Sequence, residues 1–246
     1  MLKPWVMFSL LAALVSLLYM QLSTGSQAEP VAKTKTFTLS QASTDKCQSF
    51  DICLRWALNA TDPMQKALYA SQGIPLWNKN SPQRDLINLL QIRADTLVDL
   101  FQSTQNDNLL TQAEADYLQL QSLLSNKSYM PFAGLGRIAE LRNQQSEASK
   151  YFAEAVKTDN LLAWLSRAAY RVRQGQINTA KTDLESAEKR IKQMQKDDKD
   201  IHVSHRIWFH QLRAEVFQAL QQAKQAQLEL QAACQLGHQP ACQNPS

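Results

Sequence analysis

The sequence has little glycine and proline, with 6 Gly and 8 Pro among its 246 residues. Both residue types interrupt helices, so their scarcity favours long helical segments. Aromatic residues are also few, at 8% of the chain, but hydrophobic residues reach 44%, which is enough to bury a core and argues against a disordered chain. Because Gln, Ala, Leu and Lys dominate instead, we expect a mostly helical protein that needs no strand.

Concentrated basic charge is absent as well, although the formal net charge is +4. No basic stripe alternates with aromatic side chains, so the sequence indicates no groove for nucleic acid. Glu185 precedes Lys189 by one helical turn, and Glu188 precedes Lys192 in the same way. Acidic residues in this order before basic ones are typical of a solvated helix face.

Motifs of catalysis and cofactor binding are lacking. The sequence contains no nucleophile elbow, phosphate-binding loop or zinc-protease motif. The segment 134–136 (Gly-Leu-Gly) lacks the third glycine and the preceding strand of a dinucleotide-binding loop, so we assign it to helix packing. His202 and His205 could share a helix face, but no further Cys or His has a spacing that completes a tetrahedral metal site. We therefore predict no catalytic residue, no metal and no cofactor.

The N-terminal segment 1–28 differs from the rest of the chain. Lys3 precedes a nearly continuous apolar run over residues 5–20, and Ser26 and Ala28 are small residues at the positions that a signal peptidase recognises. We predict an exported, periplasmic protein whose signal peptide is removed, followed by a linker over 29–46. The alternative is an uncleaved inner-membrane anchor formed by residues 5–22, although this apolar run is short for about 30 Å of hydrocarbon.

Only four cysteines occur, and all of them follow the N-terminal segment. An even number in an exported chain favours disulfides over free thiols or metal binding. Three connectivities are possible, and we favour the local one, Cys47 with Cys53 and Cys234 with Cys242, because each pair closes a short loop. On a straight helix the Cα atoms of Cys47 and Cys53 would lie about 9 Å apart, too far for a disulfide. A break near residues 49–51 is therefore required.

A pattern of small and large apolar residues recurs between Tyr129 and Cys234. Five residues have counterparts thirty-two places later: Phe132, Gly136, Ala148, Phe152 and Ala155 are followed by Trp164, Ala168, Ala180, Leu184 and Ala187. A third unit repeats the spacing with Ala214, Phe217, Ala226, Leu230 and Ala233. Asn143 and Gly175 occupy equivalent positions between these segments, and both tolerate the left-handed conformation that ends a helix. Such a period is typical of a solenoid of paired helices, in which the alanines are buried at helix contacts.

This pattern resembles the tetratricopeptide repeat family, with an aromatic and a small residue on the first helix and Ala, a large residue and Ala on the second. The resemblance implies an all-α solenoid of helical hairpins, with about three recognisable repeats over 129–246 after a degenerate helical region over 47–128. The segment from Cys234 to Cys242 resembles the junction of Sel-type cysteine-rich repeats, where cysteines at this spacing staple adjoining helices. Gly237 and Pro240 supply the turn.

Periodicity also predicts the positions of other helices. Two short helices begin near Asp51 and are divided at Asp62-Pro63, since proline favours the first position of a helix. Apolar spacing predicts further helices over 86–101 and 111–124. The second helix of the second repeat extends through Met194, until a charged segment interrupts it.

In tetratricopeptide arrays the first helix of each unit lines a concave face that binds peptides. The equivalent residues of this chain are Met130, Arg137, Leu162, Leu165, Arg173, Trp208, Gln211 and Glu215. Apolar anchors and charges on one surface suit a peptide or helix groove, so we predict that these residues bind a protein or peptide partner in the cell envelope. Alternatively, Leu162 and Leu165 are covered by neighbouring helices, because apolar residues at helical spacing usually belong to the core.

The sequence thus predicts an exported scaffold or adaptor protein rather than an enzyme. One alternative is a membrane-anchored structural subunit of a pilus, secretion or cytochrome-maturation assembly, which contacts the membrane only through its N-terminal segment. A second alternative, from the resemblance to Sel-type repeats, is an enzyme of cell-wall chemistry.

Overall fold

The computed structural model describes residues 46–242, and these residues form an all-α fold of adjacent helix pairs with no strand among them. The predicted signal peptide or anchor over 1–28 lies outside the described residues, as does the linker up to residue 45. Within the described part, no helix has the length and apolar character that a membrane crossing requires.

The helices follow one another through short connections, several of which are single turns. Their bounds are α1 Phe50–Asn59, α2 Pro63–Gly73, α3 Gln83–Thr104, α4 Asp107–Leu124, α5 Met130–Leu141, α6 Gln145–Val156, α7 Leu161–Arg173, α8 Ile177–Lys196, α9 Val203–Ala219, α10 Ala223–Gln235 and α11 Gln239–Cys242. Short 3₁₀ turns follow α2 and α4. Asp62 caps α2 by accepting a hydrogen bond from the backbone N–H of Gln65 at 2.8 Å, and Pro63 is its first residue, as predicted.

Two kinds of packing recur along the chain. The helices of each pair contact one another over most of their length, and the second helix of a pair also contacts the first helix of the next. In addition, the first helices contact in series, α1 with α3, α3 with α5, α5 with α7, and α7 with α9. A large apolar cluster fills the space between α7, α8 and α9. The first helices therefore form a continuous row.

The turns inside the four helix pairs from α3 to α10 use the same backbone conformation. Asn143 and Gly175 have φ angles of 59° and 69°, so the predicted left-handed positions are confirmed. After each of them the next N–H reaches back to a carbonyl near the helix end, which is the hydrogen-bond pattern of a Schellman motif. Gln105 and Gln221 adopt the same conformation in two other pairs, with φ angles of 55° and 58°. These two turns could not be predicted from the residue type, because glutamine seldom takes positive φ.

Small residues lie where helices approach closely. A Cβ atom added to Gly136 would lie 3.0 Å from the ring of Phe152, so α5 and α6 pack through the missing side chain. This supports the assignment of segment 134–136 to helix packing. The four alanines predicted at helix contacts are fully buried: Ala148, Ala155, Ala180 and Ala187.

Both pairs of cysteines lie at disulfide distance, in the local connectivity. The Sγ atoms of Cys47 and Cys53 are 2.00 Å apart, and those of Cys234 and Cys242 are 2.10 Å apart. Helix α1 begins only at Phe50, so Cys47 precedes the helix and its Cα atom lies 5.2 Å from that of Cys53. This is the predicted break. Two disulfides within one chain are consistent with an oxidising extracellular compartment.

Candidate functional site

The predicted groove residues on α7 and α9 lie mainly in packing positions. Leu165 is fully buried in the cluster between α7, α8 and α9, so it offers no surface to a partner, and its assignment to the groove is corrected here. The reason is that its side of α7 faces α8 of the same pair and α9 of the next. Leu162 and Trp208 are half-buried and pack against the same cluster. A partner can reach only part of each, and their role in binding stays a prediction.

Two further predicted residues on α9 differ in their surroundings. The Nε2 atom of Gln211 lies 2.8 Å from the Nε2 atom of His238, in the turn after α10. This hydrogen bond holds α9 to the C-terminal turn. Glu215 is exposed, and no hydrogen bond or ion pair joins it to another of residues 46–242.

The two predicted arginines converge on one carboxylate. Arg173 of α7 donates to Glu140 from Nε at 2.7 Å and from a terminal nitrogen at 2.8 Å, and Arg137 donates to the same carboxylate at 2.8 Å. Burial by itself would raise the pKa of Glu140, but the hydrogen bonds from the arginines outweigh it and hold the pKa below its ordinary value. Arg173 thus ties α7 to α5, while Arg137 pairs with Glu140 within α5, and both contacts reduce the charge that the arginines can offer to a partner.

Met130 and Arg137 line a concave surface that we name the α3–α5 pocket, with a volume of about 390 Å³. The sequence analysis missed most of it, because α3 and α4 lie outside the recognisable repeats. Its lining comes from α3, α4, α5 and α7: Gln91, Asp95, Val98, Asp99, Gln102, Tyr117, Tyr129, Met130, Ala133, Gly134, Arg137 and Ser166. Three successive first helices of the row therefore contribute to one pocket.

Two features of the sequence shape the pocket walls: the spacing of polar residues along α3 and a glycine on α5. Gln91, Asp95 and Asp99 recur every fourth residue and so share one face of α3. On the opposite wall, a Cβ atom at Gly134 would clash with the ring of Tyr117, so only glycine lets this ring lie directly against the backbone of α5. Tyr117 is 3% exposed, and its hydroxyl ends at the pocket.

A hydrogen bond links the two sides of the pocket. The Tyr117 hydroxyl donates to the Oδ1 atom of Asp95 at 2.5 Å. Burial raises the pKa of Tyr117 well above its usual range, and the Asp95 carboxylate raises it further. Burial also raises the pKa of Tyr129 to about 12. Both phenols therefore stay neutral at physiological pH and act as hydrogen-bond partners rather than as bases or nucleophiles.

The two aspartates of the pocket are accessible to water yet partly desolvated. Their side chains are exposed at the concave surface, but nearby protein atoms replace part of their hydration. This desolvation raises the pKa of Asp95, and the hydrogen bond from Tyr117 only partly offsets it. It also raises the pKa of Asp99, against the attraction of Arg137. Among residues 46–242, Asp99 has no ion pair and no hydrogen-bond donor.

Carboxylates inside the helix pairs have arginine partners instead. Asp116 of α4 accepts a hydrogen bond from the Nε atom of Arg93 at 2.7 Å. Asp183 of α8 accepts two from Arg167, at 3.0 Å on Oδ2 and 2.7 Å on Oδ1, and a terminal nitrogen of Arg171 lies 2.8 Å from Oδ2. Asp116 and Asp183 are each 1% exposed. The aspartates of the pocket thus differ in having no arginine that donates to them.

A third pair joins α9 to α10 at the equivalent place. Arg213 lies 3.2 Å from Glu229, and His210 also lies 2.7 Å from this carboxylate. Arg213 and Glu229 are equally distant in sequence from the turn at Gln221, just as Arg167 and Asp183 are from Gly175. This symmetry about the turn is the signal by which the sequence alone could have identified both ion pairs.

Within residues 46–242, no group of three or more His, Cys, Asp or Glu side chains is arranged to hold a metal ion. The rings of His202 and His205 have centroids 5.5 Å apart and planes tilted by 51°, and His202 caps α9 by accepting from the backbone N–H of Ser204. No protein-family model matches the chain, and no curated protein is significantly similar to it in sequence, so neither comparison assigns it a family.

Proposed function

We propose that this chain is an exported scaffold or adaptor of tetratricopeptide-like architecture, which binds a protein or peptide of the cell envelope on its row of first helices. The observation that carries the proposal is the α3–α5 pocket, because three first helices of the row contribute to it. A segment lying along that row contacts one helix after another, as peptides do in the family that the sequence resembles.

The repeat architecture has support from three independent features. The first helices contact in series, the four pairs from α3 to α10 turn through the same left-handed conformation, and the small residues with the predicted spacing are buried at helix contacts. Solenoids of helix pairs combine these features, since each unit buries its apolar face against its neighbours.

Export and a binding role are supported separately. Disulfides persist in oxidising compartments, and the segment 1–28 has the composition of a signal peptide. The pocket combines aromatic, apolar and charged side chains without an activated nucleophile, which suits recognition rather than a reaction.

Site-specific photo-crosslinking in intact cells tests the binding face. A photoreactive residue replaces Gln102 on α3 or Ser166 on α7, and in matched controls it replaces Lys150 on α6 or Lys189 on α8. We expect adducts of defined mass from the first-helix positions and none from the second-helix positions. Equal labelling at all four, or labelling confined to the controls, would contradict the proposed face.

The N-terminus of the mature protein separates the adaptor from the membrane-anchored subunit. We expect a mature chain that begins at Glu29, as removal of the signal peptide requires. Retention of residues 1–28 in the membrane fraction would instead favour the structural subunit of an envelope assembly.

A further inference from the structure

The α3–α5 pocket has a charge pattern that is complementary to a cation. Asp95 and Asp99 lie one helical turn apart on the wall formed by α3, and neither has an ion pair with an arginine or lysine among residues 46–242. Arg137 faces the pocket from α5, but its guanidinium is bonded to Glu140 at 2.8 Å and to the Gln102 side chain at 3.3 Å. It therefore leaves the two aspartates largely uncompensated.

The remaining walls suit a cationic side chain. Tyr129 adds an aromatic ring, whose face attracts ammonium and guanidinium groups, and the buried Tyr117 contributes only its hydroxyl. Val98 and Met130 provide apolar contacts for an aliphatic stem. Gln91 adds a further hydrogen-bonding group on α3. Carboxylates that are partly desolvated interact more strongly with an incoming charge than fully hydrated ones do.

Two other occupants fit less well. A metal ion needs more ligands than the pocket provides, since no group of three suitable side chains exists within the described residues. A small amine would be enclosed in a deep cavity, whereas Asp95 and Asp99 stay accessible to water. A side chain that projects from a larger polypeptide suits such a shallow site, because the polypeptide itself covers the exposed surface.

We propose that the α3–α5 pocket receives an arginine or lysine side chain from a basic segment of the protein partner, held by Asp95 and Asp99 beside the Tyr129 ring. This inference rests on the proposed function and specifies the chemistry of the partner. Charge complementarity on the face of α3 and α5 selects a basic partner and repels an acidic one.

The test uses three pools of fluorescent nonapeptides, randomised except for a central Arg, Lys or citrulline, and the full mature chain. Citrulline has the shape of arginine without its charge. We expect the Arg or Lys pool to bind about tenfold more tightly than the citrulline pool, the size that one charge-assisted contact provides. Equal binding of all three pools, or no binding at about 1 mM protein, would overturn the proposal.

The variants Asp95→Asn and Asp99→Asn locate the site. Each should reduce the preference for Arg over citrulline about threefold, and the double variant should abolish it. Asp85→Asn is the matched control, because it makes the same change on α3 outside the pocket, and it should leave the preference intact. Loss of the preference for Arg in Asp85→Asn, or its retention in the double variant, would contradict the assignment of the site to Asp95 and Asp99.

A stability measurement excludes a structural explanation. Desolvation opposes ionisation of both aspartates, so their replacement by neutral Asn should keep the midpoint of thermal unfolding at or above that of the parent chain. A fall in binding together with unchanged stability supports a ligand-binding role. Lower stability in both single variants would mean that these carboxylates hold the fold together, contrary to the proposal.

The experiments distinguish failure of this inference from failure of the proposed function. Specific crosslinks from Gln102 and Ser166 without any preference for basic peptides would leave the binding face in place and reject only the chemistry proposed here. Absence of crosslinks along the first helices would reject the proposed function itself.

Discussion

Replacement of Asp183 by asparagine should destabilise the pair formed by α7 and α8. Asp183 is 1% exposed, and its two oxygens accept the guanidinium groups of Arg167 and Arg171. Asparagine has almost the same shape, but it removes the negative charge and replaces one acceptor oxygen with a donor. Both arginines would then face a neutral group at a buried position.

The magnitude follows from the exposure of the arginines. Removal of one partner from a fully buried ion pair costs about 3–5 kcal/mol, because the remaining charge is uncompensated. The side chains of Arg167 and Arg171 keep 17% and 24% of their surface exposed, so water screens part of this cost. We therefore expect Asp183→Asn to lower the free energy of unfolding by about 2–3 kcal/mol, and the melting temperature by roughly 4–12 °C.

Urea unfolding followed by far-ultraviolet circular dichroism measures the loss, with Glu185→Gln as the matched control. Glu185 is an exposed carboxylate on the same helix, so its replacement should change the free energy of unfolding by less than about 0.5 kcal/mol. Hydrogen exchange should be faster in α7 and α8 of Asp183→Asn, because units of a repeat protein can open locally. Equal effects of the two replacements would refute the importance of the Asp183 ion pairs.

Three other predictions follow from packing, covalent links and charge. Ala180→Leu should cost about 1–3 kcal/mol of stability by overpacking at a fully buried contact, measured by urea unfolding, and a neutral effect would contradict the contact. Limited reduction, followed by mass spectrometry, should open the Cys234–Cys242 disulfide before the Cys47–Cys53 disulfide, because Cys242 is exposed and the N-terminal pair is buried. The reverse order would contradict this prediction. Intact, each short loop should contribute about 2–3 kcal/mol. Binding of the Arg pool should weaken as pH falls, because the aspartates of the α3–α5 pocket become protonated at pKa values above the ordinary 3.8. A constant affinity between about pH 7 and pH 4 would refute this prediction.

The helices could be predicted from local features of the sequence. Asp62 and Pro63 mark the start of α2, and Asn143 and Gly175 supply the left-handed turns, since in each case the residue type itself favours the backbone conformation. The turn at Gln221 has the same geometry without such a residue. There the packing of α9 against α10 determines the turn, and a local pattern cannot reveal it.

The candidate site could be predicted only in part. Met130 and Arg137 line the α3–α5 pocket, as residues of a first helix should, but Leu165 of the next first helix is fully buried. Position within a repeat specifies which helix carries a residue, whereas the contacts with the next pair determine which side of that helix stays accessible. The ion pair between Arg173 and Glu140 could not be predicted either, because it joins two helices through residues that are far apart in sequence.

The distribution of charge separates the parts of the molecule that hold the fold together from the part that is available for binding. Asp183 faces arginines of its own chain, so its charge contributes to stability once the ion pairs form. Asp95 and Asp99 are desolvated by their surroundings without an arginine that donates to them, so their ionisation opposes stability. A cost of this kind without a structural benefit is typical of residues that act on a ligand, because the ligand supplies the missing charge. This contrast, between carboxylates with and without a cation of their own chain, is the strongest reason to look for the partner at the α3–α5 pocket.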